Sequence, residues 1–258
     1  MKKYLSMLAI ALASVTFTGC DDDSCPPEVM YFPIITLEGD DVEYATMNTG
    51  YTLPGFSATL NGEDCTSQIK VTIFDVIAGE VVNNIDPDNV GYYRVTYSGS
   101  NEWGYSSSVE RVVYVFNPEI TESIAGTYNV DMEESYYLMS SGWKTFADRA
   151  ASYGNTTQCT GITFKEIVPG FFQCNDLFAG WYSQIRGYAA TNGTRYNMTG
   201  YVSLNPDNTI TLLTSLVAGW GDGLDYLDDG QYDPATGTIT YNIGYAEAIY
   251  MDITLNKQ

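Results

Sequence analysis

The fold is decided most clearly by the stretch GYYRVTY at residues 91–97, which is followed by RVVYV at residues 111–115. In the first stretch, Tyr93, Val95 and Tyr97 occupy alternate positions, so they share one face of an extended strand. β-Branched and tyrosine side chains also favour strands over helices. Both stretches therefore predict strands that each bury one face.

Similar short stretches recur through the first half of the chain, separated by turn-forming residues. About seven short strands within roughly 100 residues are typical of an immunoglobulin-like (Ig-like) β-sandwich. Pro118 ends the last strand and marks a linker. We therefore predict an Ig-like domain over residues 29–117. Its strands are expected near residues 31–37, 42–47, 56–60, 69–74, 92–97 and 109–116.

A second domain is predicted over residues 118–258. Short turns such as Pro169-Gly170 make neighbouring strands antiparallel. Seven or eight such strands indicate a closed or nearly closed antiparallel β-barrel, so the predicted fold class is all-β. The best helix candidate covers residues 142–153. Strands are expected near residues 124–130, 161–168, 171–175, 182–190, 196–204, 209–213, 237–245 and 248–255.

The N-terminus has the pattern of an export signal. Lys2 and Lys3 precede an apolar run that is too short to span a bilayer, and the run ends just before Cys20. We predict a signal peptide at residues 1–19, lipidation of Cys20 and a lipidated tether at residues 20–28. A diacylglyceryl cysteine would attach the chain to the outer membrane.

The three residues after Cys20 are Asp21, Asp22 and Asp23. Acidic residues in this position resemble the surface-export signal of Bacteroidetes-type lipoproteins. The resemblance implies an anchored protein that faces the outside of the cell. A solvated tether is the alternative interpretation.

Two further resemblances concern the folded domains. Residues 50–58, 91–97 and 111–115 resemble a bacterial Ig-like family related to the hyalin repeat, which implies a spacer or adhesive module. Within it, Gly55 and Gly91 are expected to adopt positive φ. The GTY opening of the second domain and its final hairpin resemble lipocalin-like C-terminal domains of Bacteroidetes lipoproteins found with glycan-uptake systems.

Composition excludes several functions. The net charge of −21 makes nucleic acid and anionic headgroups unfavourable partners. The chain has no histidine, which removes Ser-His-Asp and Cys-His catalysis and histidine-ligated zinc. We therefore predict a protein that is not an enzyme and uses no cofactor. A glycoside hydrolase built on paired carboxylates is the remaining enzymatic alternative.

Four cysteines remain besides Cys20, and an oxidising compartment favours disulfides among them. Their positions along the chain favour pairing Cys25 with Cys65 and Cys159 with Cys174. Free, buried thiols are the alternative.

An acidic stretch carries Asp222, Asp225, Asp228 and Asp229 between glycines. Its spacing does not match an EF-hand, so a solvated loop is favoured over a metal site.

Ligand contact is predicted in the second domain, at Trp143, Trp181, Tyr182 and Trp220. Aromatic rings offer flat partners to the C–H faces of sugars. The alternative is that these rings belong to the core. The predicted function is a non-catalytic binding or accessory component of a polysaccharide-uptake system, with a glycan and uptake-system proteins as partners. A structural or adhesive spacer is the alternative.

Overall fold

The computed structural model describes residues 31–258. The predictions for the signal peptide, Cys20, Cys25 and the tether lie outside these residues. The protein is 49% strand and 9% helix, which confirms the all-β prediction. Within the described residues, no helix has the length and hydrophobicity needed to cross a membrane.

The elements follow one another along the chain. The helices are α1 (Phe146–Tyr153), a π-helical turn (Trp181–Ile185), α2 (Ala189–Asn192) and a 3-10 turn (Thr66–Gln68). The first eight strands are β1 (Ile34–Leu37), β2 (Val42–Thr46), β3 (Phe56–Leu60), β4 (Glu63–Asp64), β5 (Lys70–Asp75), β6 (Glu80–Val82), β7 (Gly91–Ser100) and β8 (Ser106–Phe116). The other strands are β9 (Gly126–Val130), β10 (Tyr136–Met139), β11 (Gly142–Thr145), β12 (Ile162–Val168), β13 (Phe171–Cys174), β14 (Met198–Leu204), β15 (Thr209–Val217), β16 (Tyr226–Asp233), β17 (Thr238–Tyr245) and β18 (Ile249–Lys257).

The first eight strands form the Ig-like sandwich. One sheet has the order β1-β3-β4 and the other has the order β2-β8-β7-β5-β6, in which β2 runs parallel to β8. Tyr93, Val95 and Tyr97 of β7 are buried, as their alternation predicts. Val113 and Val115 of β8 pack into the same core.

Arg111 occupies an inward position of β8 and is fully buried. Its guanidinium donates to the backbone carbonyls of Glu38, Asp40 and Pro54 and to the hydroxyl of Tyr97. These acceptors satisfy a group whose burial is otherwise costly. Arg111 thereby ties the β1–β2 loop, through Glu38 and Asp40, and the β2–β3 loop, through Pro54, to β8.

Gly55 and Gly91 do not adopt the positive φ that was expected. Their lack of a side chain serves close packing instead. A Cβ at Gly91 would collide with the ring of Tyr93, and one at Gly55 would collide with the carboxylate of Glu38.

The second half of the chain forms the barrel. Eight antiparallel strands follow the order β9-β12-β13-β14-β15-β16-β17-β18, and pairing of β18 with β9 closes the ring. The β10–β11 hairpin lies outside this ring and extends the sheet from β18 through the pairs Tyr136–Asp252 and Tyr137–Met251. The predicted barrel is thus confirmed, with a hairpin attached to its side.

The segment between β13 and β14 fills part of the barrel interior. Leu177, Phe178 and Trp181 are fully buried there, and the hydroxyl of Tyr241 donates to the carbonyl of Leu177 at 3.1 Å. The predicted strand at residues 182–190 is wrong, because this stretch forms the π-helical turn and α2. Tyr182 and Ile185 are both buried and lie three residues apart, which is a helical spacing.

The sandwich and the barrel meet through aromatic rings. Tyr92 and Tyr114 stack on each other with ring centroids 5.0 Å apart. Their rings contact Phe171 and Tyr201 of the barrel at 5.8 to 6.4 Å. Residues Phe32–Gln258 accordingly form one compact unit.

Candidate functional site

A cleft of about 350 Å³ lies on the outer surface of the barrel. Strands β16, β17 and β18 and the β10–β11 hairpin contribute to it. Its lining is rich in aromatic and acidic side chains, and it contains no lysine or arginine. The lining residues are Leu138, Trp143, Tyr226, Asp228, Asp229, Asn242, Ile243, Tyr250 and Asp252.

Strand register places the polar lining residues in one row. Asp228 pairs with Asn242, Asn242 pairs with Asp252, and Asp252 pairs with Tyr136 of the hairpin. Side chains in such a row point to one side of a sheet. Because Tyr241 and Ile243, the neighbours of Asn242, are buried in the barrel, this row faces outward.

Three aromatic rings complete the cleft. Tyr226 pairs with Gly244, and its ring occupies the space that a side chain at Gly244 would need. Tyr250 pairs with Gly244 from the opposite side. Trp143 lies across from Leu138 in the hairpin and is 46% exposed. The missing side chain at Gly244 therefore makes room for a ring on the outer surface of the sheet.

The carboxylates give the cleft a negative potential. The side-chain amide of Asn242 donates to Asp229 at 3.0 Å and holds that carboxylate in place. Burial raises the pKa of Asp252, and the charge of Asp229 raises it further.

The lining offers the types of contact that a neutral polyhydroxylated ligand uses. Exposed rings accept the C–H face of a sugar, and carboxylates and amides exchange hydrogen bonds with hydroxyl groups. An anionic ligand would meet unfavourable electrostatics, because no cation lines the cleft.

Comparison with known proteins identifies both domains. Residues 35–115 match the family model of a bacterial surface protein Ig-like domain. Residues 117–257, more than half of the chain, match the model of a C-terminal domain family. The solved lipoprotein BT2262 from Bacteroides thetaiotaomicron is 31% identical; the match covers 88% of this chain and 100% of that chain, with a TM-score of 0.43. The chain belongs to this family of bacterial surface lipoproteins. Among curated proteins no match was found.

The four aromatic residues of this surface lipoprotein that were predicted to contact a ligand lie in different parts of the structure. Only Trp143 lines the cleft. Trp181 and Tyr182 are 1% and 3% exposed, belong to the barrel core and do not line the cleft. Trp181 stacks on Tyr137 with ring centroids 4.2 Å apart and planes inclined by 9°. The neighbouring glycine does not lift these rings out of the fold, because residues 181–185 turn inward as a helix.

Trp220 lies in a tight turn that follows β15. It is 42% exposed, and its ring contacts Tyr182 at 4.8 Å, Tyr196 at 4.9 Å and Tyr245 at 5.8 Å. Trp220 therefore touches Tyr182, as a shared site would require, but it packs over the core and does not line the cleft.

Asp176 organises the segment inside the barrel. This buried carboxylate accepts hydrogen bonds from the backbone amides of Phe178, Gly180 and Met198 and from the hydroxyl of Ser183. Burial outweighs these hydrogen bonds and raises the pKa of Asp176 to about 6. Asp176 is therefore a structural anchor of this segment.

The predicted disulfide between Cys159 and Cys174 is not formed. Both residues are buried free thiols, as is Cys65. Cys159 packs beside Gly180, and Cys174 lies inside the barrel, where burial raises the pKa of its thiol. They act as small hydrophobic residues, as the alternative interpretation held. The pairing of Cys65 with Cys25 involves a residue outside 31–258.

The acidic stretch is partly a strand. Asp228 and Asp229 belong to β16, where a bulge interrupts the alternation that would have revealed the strand. Asp222 accepts from Tyr245, and Asp225 accepts from the amide of Glu247. Residues 31–258 contain no group of three or more side chains suited to hold a metal.

Proposed function

We propose that this surface lipoprotein captures neutral glycan chains in the outer cleft, as a non-catalytic component of a polysaccharide-uptake system. The observation that carries the proposal is the meeting of three aromatic rings and a row of polar side chains in one open cleft. Because the lining has no cation, neutral glycans are favoured over acidic ones.

A carboxylate hydrolase is less well supported than a binding protein. Asp176 is enclosed by hydrogen bonds in the core, and Asp222 is engaged by Tyr245. In the cleft, the side-chain amide of Asn242 engages Asp229 in the same way.

Replacement of Trp143 by alanine should weaken glycan binding at least about tenfold, because the cleft loses one stacking ring. Stability should change little, since this side chain is half exposed. Calorimetry of the purified full-length wild type and variant against neutral oligosaccharides measures the two affinities. Trp103→Ala is the matched control, because Trp103 is exposed in the other domain. Equal affinities for Trp143→Ala and the wild type would contradict the proposed site.

The location is part of the proposal. A lipidated Cys20 would hold the folded domains at the outer membrane, and the acidic residues that follow support display on the outer face. The 31% identical relative is a lipoprotein, which supports the same anchor. Cys20→Ala should move the chain from the membrane fraction to the soluble fraction of cells. Unchanged membrane attachment of this variant would contradict the proposed lipid anchor and would not bear on glycan binding in the cleft.

An adhesive role is the second candidate, favoured by the exposed aromatic residues of the sandwich. Tyr44 and Trp103 are each 59% exposed there. Loss of binding to a surface or cell partner in Trp103→Ala, with glycan binding intact, would support this role.

A further inference from the structure

Three of the buried N–H donors in residues 31–258 that lack an acceptor belong to neighbouring side chains. They are Nε of Arg149, Nε of Arg186 and Nε1 of Trp181. With Tyr137 and Tyr153, these residues form what we call the arginine–tyrosine cluster. Buried donors are nearly always paired in folded proteins, so three unmet donors together need an explanation.

Tyr153 lies at the centre of the cluster. Cζ of Arg149 is 5.0 Å from its ring centroid, Cζ of Arg186 is 5.8 Å away, and the Trp181 ring is 6.5 Å away. Arg149 also donates from Nη2 to the Tyr153 hydroxyl at 3.0 Å. Tyr153 is 38% exposed, so the cluster reaches the surface. Helix α1, the π-helical turn and β10 thus bring their side chains to one place.

The cluster carries two positive charges without a negative partner. In the described part of the chain, neither guanidinium has a carboxylate oxygen within 4.0 Å. Both arginines act on the hydroxyl of Tyr137, where their charges lower a pKa that burial raises. Because the chain has 32 acidic residues, two neighbouring arginines without a carboxylate partner among the described residues are unexpected. Both arginines are partly exposed, so an anion from solution can approach and compensate these charges.

We propose that the arginine–tyrosine cluster binds an oxyanion, the carboxylate or sulfate group of an acidic sugar. A guanidinium presents planar N–H donors that match the oxygens of such groups, and tyrosine and indole donors add further hydrogen bonds. The proposal is independent of the neutral-glycan cleft, because that cleft is lined by carboxylates and this cluster by cations.

The test compares three sugars that differ in one group: glucose, glucuronate and glucose 6-sulfate, with inorganic sulfate as a fourth probe. Titrations of the full-length chain are followed by the indole N–H resonance of Trp181 in ¹⁵N spectra. Glucuronate or a sulfate probe should shift this resonance, and glucose should not. A response to glucuronate alone identifies a carboxylate site, and a response to the sulfates alone identifies a sulfate site.

Arg149→Gln and Arg186→Gln should each weaken this binding about tenfold or more, because each removes a charge-assisted hydrogen-bond donor. Arg94→Gln is the matched control, because Arg94 is paired with Glu110 in the sandwich. If the glutamine variants do not fold, the comparison of glucuronate with glucose on the wild type still decides. No response to any anion, or equal affinity in the folded glutamine variants, would overturn the proposal.

Discussion

Asp176→Ala is expected to lower the free energy of unfolding by about 3–5 kcal/mol at pH 7. The substitution leaves three backbone amides and the Ser183 hydroxyl without an acceptor inside the barrel. Each orphaned donor costs about 1–3 kcal/mol. Removal of an unfavourably buried charge returns part of this cost, so the net loss is smaller than the sum over the four donors. Urea unfolding followed by circular dichroism measures the difference.

Asp176→Asn is the companion variant, because it removes the titratable charge and keeps one acceptor oxygen for the backbone amides of Phe178 and Met198. The pKa of Asp176 is raised from 3.8 to about 6, so the folded state holds this proton more tightly than the unfolded chain. Its contribution to stability is full below pH 3.8 and is lost as the pH rises through 6. As the pH rises between these limits, the free energy of unfolding of the wild type should fall relative to that of Asp176→Asn. A constant difference between the two across this range would contradict the assigned cause.

Trp181→Ala is expected to destabilise the barrel by about 3–5 kcal/mol, because it removes the largest buried side chain of the core. The rings of Tyr137 and Phe146 would both lose their contact with the indole ring. Thermal unfolding measures the loss. The folded fraction should still bind neutral glycan with wild-type affinity, since Trp181 does not line the cleft.

Trp220→Ala provides the comparison for this second variant. Trp220 is 42% exposed, so its removal should destabilise the protein much less than removal of Trp181. Similar losses of stability in the two variants would contradict the assignment of Trp181 to the core and Trp220 to the surface.

The fold was predictable where sequence alternation is undisturbed. Strands such as β7 and β17 bury every second side chain and are turned by short, recognisable loops, so local pattern and tertiary structure agree. Prediction failed where the local sequence pattern was typical of a different secondary structure. The bulge in β16 disguised a strand as an acidic loop, and the aromatic residues at 181–188 suggested a strand although their spacing is helical.

The candidate site was less accessible to sequence reasoning. Trp143 was identified from residue type alone, and Trp181, another tryptophan beside a turn, proved to be core. Tyr226, Tyr250 and Asp252 were missed because they converge only through the register of β16, β17 and β18. A sequence signal for them exists in Gly244, whose bare position leaves room for the Tyr226 ring.

The central claim is that neutral glycan binds in the outer cleft beside Trp143. The chain has four tryptophans, so ¹⁵N spectra contain four indole N–H resonances that single substitutions can assign. During titration with the tightest-binding neutral oligosaccharide of a panel, the Trp143 resonance should shift to saturation while those of Trp103 and Trp181 stay in place. A shift of Trp103, Trp181 or Trp220 with Trp143 unmoved would contradict the claim, as would the absence of binding to every neutral glycan tested.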